Sequence, residues 1–314
     1  MDSLSPNPIL DFNPNQLIEV RKLFGYDDLN RLHQDIKILR DWIKKQEHFL
    51  IKEYDEIYLE RQLICSKGSI ERAKKRIDKL CTLRGLMPEY LQGFDIEHEF
   101  KNLLKVTNTC LLPKPTPDHY RIIFTDYFNP DVSIYNPSKM ARYLLVMVEY
   151  LIKHDYSAGI EMVCDFSNLT FAIVSTLNPM IVGNTLMLMT DAVGLRLKGM
   201  HCISGGSKFV DTFLAIAKAG VSKKIGSRLH GHDNFESLLK FFPKDRLPME
   251  VGGDLPITLR EITDNTLKEF STPEFMKQIK FIEGARTDEN KRLITKFNED
   301  YSGMPGSFKV LSVD

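Results

Sequence analysis

The chain has 314 residues, 43% hydrophobic and 27% charged, which is ample for a sizeable globular core in one large domain or two smaller ones. Lysine plus arginine (42) balances aspartate plus glutamate (42), so overall charge gives no reason to expect nucleic acid as a partner, and any electrostatic partner must be read from local clusters. Five widely spaced cysteines, Cys65, Cys81, Cys110, Cys164 and Cys202, form no CxxC pair and read as reduced, buried thiols of a cytoplasmic protein. The opening "MDSLSPNPIL" has neither a basic nor a long apolar region, and the best apolar stretch, "YLLVMVEYLI", is too short to span a bilayer and contains Glu149. A protein that is neither secreted nor membrane-spanning is expected.

Residues 1–105 read as an almost wholly helical domain. In "DDLNRLHQDIKILRDWIKKQ", Leu29, Leu32, Ile36, Leu39 and Ile43 share one face, with Trp42 beside it. In "SIERAKKRIDKLCTLRGLMPEYL", Ile70, Ala73, Ile77, Leu80 and Cys81 recur at helical spacing behind Ser69 as N-cap, and Gly85 and Pro88 end the run. From about residue 108 the pattern becomes β/α. "YRIIFTDYF" reads as a strand, "NPSKMARYLLVMVEYLIKHD" as a helix capped by Asn136 with Pro137 at its first position, and "GIEMVCDF" as a strand. A helix across "TFAIVSTLNPMIVGNTLMLMTD", kinked near Pro179, leads to strand "LRLKGMHCI" and helix "KFVDTFLAIAKAGV". Such spacing implies a mainly parallel sheet. After a short "RLHGH", Asp233 and Glu236 read as a capping box, and from about Thr258 the chain is again charged and helical.

The stretch "CISGGSK" (202–208) lies at a strand–turn–helix junction, where phosphate loops and catalytic serines occur. It lacks the GxxxxGK[ST] spacing, and Cys202 stands where a hydrolase elbow needs its first glycine. Acyl hydrolysis at Ser204, with His230 and His232 downstream, is the enzymatic alternative, and a tight turn is the simpler reading. "HGHD" places two imidazoles on one side of a strand but lacks a third metal ligand. Nothing calls for a cofactor or a metal.

Between Asp191 and Asp233 the only acidic residue is Asp211, while Arg196, Lys198, Lys208, Lys218, Lys223, Lys224 and Arg228 are basic. Within the same segment, Phe209, Val210, Phe213, Leu214, Ile216, Ala217, Gly220 and Val221 cover a helical arc of roughly 160°, wider than the ~100° that one core face needs. A helix covering a cavity on one side and meeting lipid on the other has this shape, with cations beside it for anionic headgroups.

The run "LRLKGMHCISGGSKFVDTFLAIAKAGVSKKIGSRLHGHDNFESLLKFFPKDRLPMEVGGD" resembles the CRAL-TRIO lipid-transfer family. Leu197–Ile203, Lys224–His232 and Leu247–Gly253 follow the family's floor strand, basic segment and closing L-P-x-E-[YF]-G-G in order and spacing. "LRDWIKKQ" and "SIERAKKRIDKLCTLRGLMPEYL" resemble its helical N-terminal domain, and "VCDFSNLTF" its central strand. Three departures, Ser204-Gly205-Gly206, Val251 and Val193-Gly194, bear on the hinge and the ligand rather than on the fold.

The resemblance implies a helical N-terminal domain (1–105), an α/β lipid-binding domain (106–285) with a mainly parallel sheet flooring an apolar pocket under a gate helix, and a tail (286–314). "CISGGSK" then becomes the hinge from floor strand to gate. The pocket is expected to be lined by Ile122, Phe124, Val163 and Ile203 from the sheet, by Ile173, Leu177, Ile181, Leu188 and Met189 from the kinked helix, and by Phe209, Phe213, Ile216 and Val221 from the gate. Arg196, Lys198, Lys224 and Arg228 match positions that bind phosphoinositide headgroups in the family's tocopherol carriers. The implied function is to bind one hydrophobic lipid, a tocopherol, retinoid, carotenoid or similar isoprenoid, and to move it between membranes without chemistry. Phospholipid transfer, of the phosphatidylinositol type, and lipid-sensing regulation are the alternatives within the fold. A monomer associated peripherally with anionic membranes is expected.

Overall fold

The computed structural model describes residues 4–220 and 223–292, without the side chains of 213, 216, 217, 219, 220, 224 and 225. The tail beyond 292 therefore lies outside the described residues. Four helices open the chain: α1 (Gln16–Leu23), α2 (Leu29–Lys44), α3 (Glu56–Cys65) and α4 (Ile70–Leu86), followed by the short α5 (Pro88–Leu91) and α6 (Ile96–Phe100). α2 buries Leu32, Ile36, Leu39 and Ile43, while Leu29, at its first position, is exposed. Ser69 caps α4 by accepting from the Arg72 N–H, and that helix runs through Gly85 to end one residue later.

The sheet has five strands in sequence order: β1 (Asn108–Leu111), β2 (Tyr120–Asp126), β3 (Gly159–Asp165), β4 (Leu197–Ile203) and β5 (Leu229–His232). β1 pairs antiparallel with β2, and every later pairing is parallel. Between the parallel strands run α7 (Pro137–His154), the pair α8 (Phe171–Thr176) and α9 (Pro179–Met187), and then α10 (Lys208–Gly220) with α11 (Lys223–Gly226). Asn136 caps α7 through the Lys139 N–H, with Pro137 at the first position. The kink near Pro179 is a full break, because Asn178 starts a new helix by accepting from the Met180 N–H. α12 (Leu259–Phe270) and α13 (Pro273–Gly284) follow the sheet, α12 opened by a Thr258–Glu261 capping box.

The two faces of the sheet carry separate cores. On one face, Ile123, Ile160, Met162 and Leu197 join a large cluster with α7, with Ile173 of α8, and with Val210 of α10; that cluster continues into the N-terminal helices. On the other face, Ile122, Phe124, Val163 and Ile203 pack with Leu238, Phe242, Leu247, Val251, Leu259 and Ile262, so the segment from residue 235 into α12 forms a lid sealing that side. In the closing motif, a Cβ on Gly253 would lie 1.9 Å from the Leu247 carbonyl, so only glycine fits where the chain folds back on itself. No helix among the described residues is long and apolar enough to cross a membrane.

The expected capping box at Asp233 is displaced by one residue. Asn234 is the cap, its side chain accepting from the Ser237 N–H at 3.1 Å, and the segment Phe235–Lys240 is a 3₁₀ helix. Asparagine and aspartate are near-equal caps, so composition alone could not choose between neighbours. Asn234→Ala is therefore expected to cost about 1 kcal/mol in urea unfolding and Asp233→Ala less than about 0.5 kcal/mol.

Candidate functional site

The expected lining residues fall on two sides of the sheet. Ile173, Leu188 and Met189 are buried on the helix-covered face, and Leu177 and Ile181 are partly buried against the same cluster. Ile122, Phe124, Val163 and Ile203 belong to the sealed core on the opposite face. A single pocket built from both sets does not form. Side chains alternate along a strand, so the residues facing α8–α10 are one position along from those expected. The register aligns Ile123 with Met162 and Met200, and Thr125 with Cys164 and Cys202, and these six form the floor beneath the helices.

Above that floor lies apolar surface without full cover. α9 reads "PMIVGNTLM", yet Thr185 is its one buried residue. Met180 and Val182 are exposed, and at the start of α8 Phe171 is 75% exposed, its ring 6.3 Å from that of Phe209 on α10. Within α10, Val210 is buried, Leu214 partly buried and Phe209 38% exposed, so the broad apolar arc passes from core to surface. Phe213 and Ile216 have no described side chains, and Val221 lies outside the described residues.

The turn into α10 is strained toward glycine. Gly205 and Gly206 have φ of 61° and 74°, and a Cβ on Gly205 would lie 2.8 Å from Ser167 Oγ. Ser204 is 1% exposed, and its hydroxyl accepts the Gly206 N–H at 3.3 Å, closing the turn. His230 and His232 are turned to other partners, described below.

Three of the four expected headgroup residues have partners within the protein. The Lys198 ammonium lies 2.6 Å from Asp118 and 3.3 Å from Glu161, with its side chain still 44% exposed. The Arg196 guanidinium sits over the rings of Phe24 and Tyr120 at 5.6 and 6.0 Å. Arg228 donates to the Leu197 carbonyl. The side chain of Lys224 lies outside the described residues.

On the sealed side a polar chain runs across three strands. Glu161 Oε2 is 3.4 Å from His201 Nε2, His201 Nδ1 is 3.0 Å from His232 Nε2, and His232 Nδ1 is 2.8 Å from Ser237 Oγ. His230 stacks on His201 at 4.8 Å, and Phe241 and Phe242 close over the imidazoles. His201 is thus a partnered core histidine. Sequence reading missed its link to Glu161, whose partners lie about forty residues along the chain. Burial, followed by the charge of His201 and His230, pushes His232 down to about 4, and burial, followed by Lys153, does the same to His154. Both rings are therefore held neutral in the fold.

A base whose pKa falls on folding is protonated first in the unfolded chain, so its contribution to stability is complete above the ordinary value of 6.5 and is lost as pH drops toward 4. Urea midpoints are expected to fall from pH 7 to pH 5, and His154→Gln or His232→Gln to flatten that dependence. A profile equally steep in both variants would assign the acid sensitivity elsewhere.

Residues 105–253 match the family model of the CRAL/TRIO domain, and residues 28–100 match that of the Pinta-like UBA domain. Among curated proteins, the chain is similar to alpha-tocopherol transfer protein-like of Mus musculus, with 27% identity over 226 residues, covering 70% of this chain and 64% of that protein. The match thus spans somewhat less than two thirds of that relative's length. Clavesin-1 of Xenopus laevis is 27% identical over 259 residues, covering 78% of this chain and 74% of its own. Among solved structures, the "Crystal structure of Sfh5" aligns with a TM-score of 0.50 at 12% identity over 87% of this chain and 100% of that one, a likeness of fold. A five-stranded, mostly parallel sheet behind a helical front, with residues 105–253 matching the family model, gives this chain a CRAL/TRIO domain.

Proposed function

We propose that this protein binds one hydrophobic lipid between the Met162–Met200 floor and α8–α10, and moves it between membranes by swinging α10 about Gly205-Gly206. The observation that carries this reading is α9, an apolar helix left half-covered over an apolar floor. Surface of this kind is costly in water and is relieved by a ligand or a membrane. Enclosing ~500 Å² of an isoprenoid at ~25 cal/mol/Å² supplies about 12 kcal/mol before ordering costs, enough for reversible binding without a covalent bond. The floor residues and helices α8 and α9 carry no charged side chain, which favours a tocopherol, retinoid, carotenoid or similar isoprenoid over a phospholipid. The name of the mouse relative points the same way.

Organic extraction of the protein from its native source, followed by mass spectrometry, tests the ligand class; recovery of phosphatidylinositol or phosphatidylcholine alone would overturn it. The face assignment has its own test. Met200→Trp, which fills the floor, is expected to abolish lipid binding with little change in stability. Ile203→Val on the sealed face should cost about 0.5–1.5 kcal/mol and leave lipid binding intact. The reverse pattern would return the chamber to the other face.

Membrane docking in this reading uses the exposed apolar rim of Phe171, Met180, Val182 and Phe209 together with Arg196, Lys198, Lys224 and Arg228. A cation near an anionic surface contributes about 1 kcal/mol and acts within a Debye length of ~8 Å. Reversing Lys224 and Arg228 to glutamate is expected to weaken binding to phosphoinositide vesicles and slow lipid delivery while leaving ligand affinity in solution unchanged. Delivery at the wild-type rate in low salt would show the cluster to be an ordinary solvated face.

A further inference from the structure

Where the N-terminal segment, α1, α3 and the end of α7 meet, a half-open cavity of about 220 Å³ is lined by Leu4, Ser5, Leu17, Ile57, Lys153 and Tyr156, with Arg21, Glu60, Arg61 and Asp155 in its walls. None of its lining residues belongs to the floor or to α8–α10. Three guanidinium groups converge on this junction, and two of them own a carboxylate. Arg21 grips Glu60 with Nε–Oε1 2.7 Å and Nη2–Oε2 3.1 Å, and Tyr156 adds its hydroxyl to the same carboxylate. Arg121 takes both oxygens of Asp155, at 2.9 and 3.0 Å. Lys153 is paired with Asp55.

Arg61 is the exception. It is 1% exposed, yet no carboxylate among the described residues lies within ion-pair distance of it. Both Nη atoms donate to one acceptor, the Ser157 carbonyl, at 3.2 Å, and Nε has no partner. The guanidinium lies over the Tyr156 ring at 4.9 Å. Beside it, the Ser157 hydroxyl is buried and likewise unpartnered. A buried cation with one shared carbonyl and an idle N–H is expensive, and an adjoining orphan hydroxyl adds to the cost. Arginine's planar fork is matched by an oxyanion that accepts two parallel bonds.

We propose that this cavity is a binding site for a small phosphate monoester, its phosphate held by Arg61 and its organic part lying against Leu4, Leu17 and Ile57. A phosphate offers acceptor oxygens to the idle Arg61 Nε and a second guanidinium N–H, and its charge meets the one cation here that has no carboxylate of its own. The proposal is independent of the lipid chamber, so either can fail without the other.

Inorganic phosphate is the probe, added to the full chain at 10 mM against sodium chloride of equal ionic strength. The thermal midpoint is expected to rise by about 2–4 °C in phosphate relative to chloride. Arg61→Gln, checked for native circular dichroism, should weaken phosphate binding at least tenfold by isothermal titration. Because Arg61 also braces the Ser157 carbonyl, Ile57→Phe provides a second variant that fills the cavity while keeping every charge, and it should abolish the phosphate response. Competition separates the two sources of the group: phosphatidic acid vesicles that remove the response identify a lipid headgroup, and vesicles without effect identify a soluble ester. A wild-type midpoint that moves no further in phosphate than in chloride, or an equal response in the folded variants, overturns the site.

Discussion

The guanidinium of Arg121 is fully buried, and it ties β2 to three other parts of the chain. Its five N–H donors meet the two oxygens of Asp155 and the carbonyls of Leu112, Pro113 and Asp11. Asp155 ends α7 and also accepts from Gln16 of α1 at 3.5 Å, while Asp11 belongs to the segment that crosses from the helical layer to the sheet. One residue at the start of β2 therefore fixes where the N-terminal helices sit against the strands. Fully satisfied, such a pair sets geometry; with either partner removed, a buried charge is stranded at a cost of about 3–5 kcal/mol. Everything on the helix-covered face, including the position of α7 beneath α9, is referred to this anchor.

The segment order was legible because helix and strand signals were strong and local. Asn136 before Pro137, Ser69 before an apolar stripe, and the glycines after Ile203 each declare an element boundary by a mechanism acting over a few residues. The facing of the strands was not legible. β2 and β3 are apolar on both sides, "RIIFT" and "IEMVC", because helices cover one face and the 235–262 segment the other, so the alternation that would reveal the inward side is missing. Arg61 was silent for a related reason: within "EIYLERQLIC" it is one polar residue among several, and what distinguishes it is the carboxylate it lacks, a fact about space.

Local charge likewise read differently in three dimensions. The stretch around Arg196, Lys198 and Arg228 is basic in sequence, but the fold supplies Asp118 and Glu161 to Lys198, aromatic rings to Arg196 and a carbonyl to Arg228. These cations are braced rather than loose, which fixes their direction and reduces the entropy lost when an anionic surface meets them. Lys198 also joins the charged rim to the buried imidazoles through Glu161, so the rim and the sealed core are mechanically continuous.

The separation of the two cores divides labour between the faces of one sheet. Packing behind the strands, from Leu238 to Ile262, closes on itself, whereas the front leaves α9 half-covered. For a carrier of the kind proposed, emptying and refilling the front would leave the rear cohesion untouched, and the scaffold would survive each exchange without partial unfolding. In the proposed carrier, substitutions at Met162, Cys164, Met200 or Cys202 would reshape the cargo space while the rear packing stays unchanged. A change of cargo in such a protein is then a matter of a few side chains on one surface, reachable by small mutational steps.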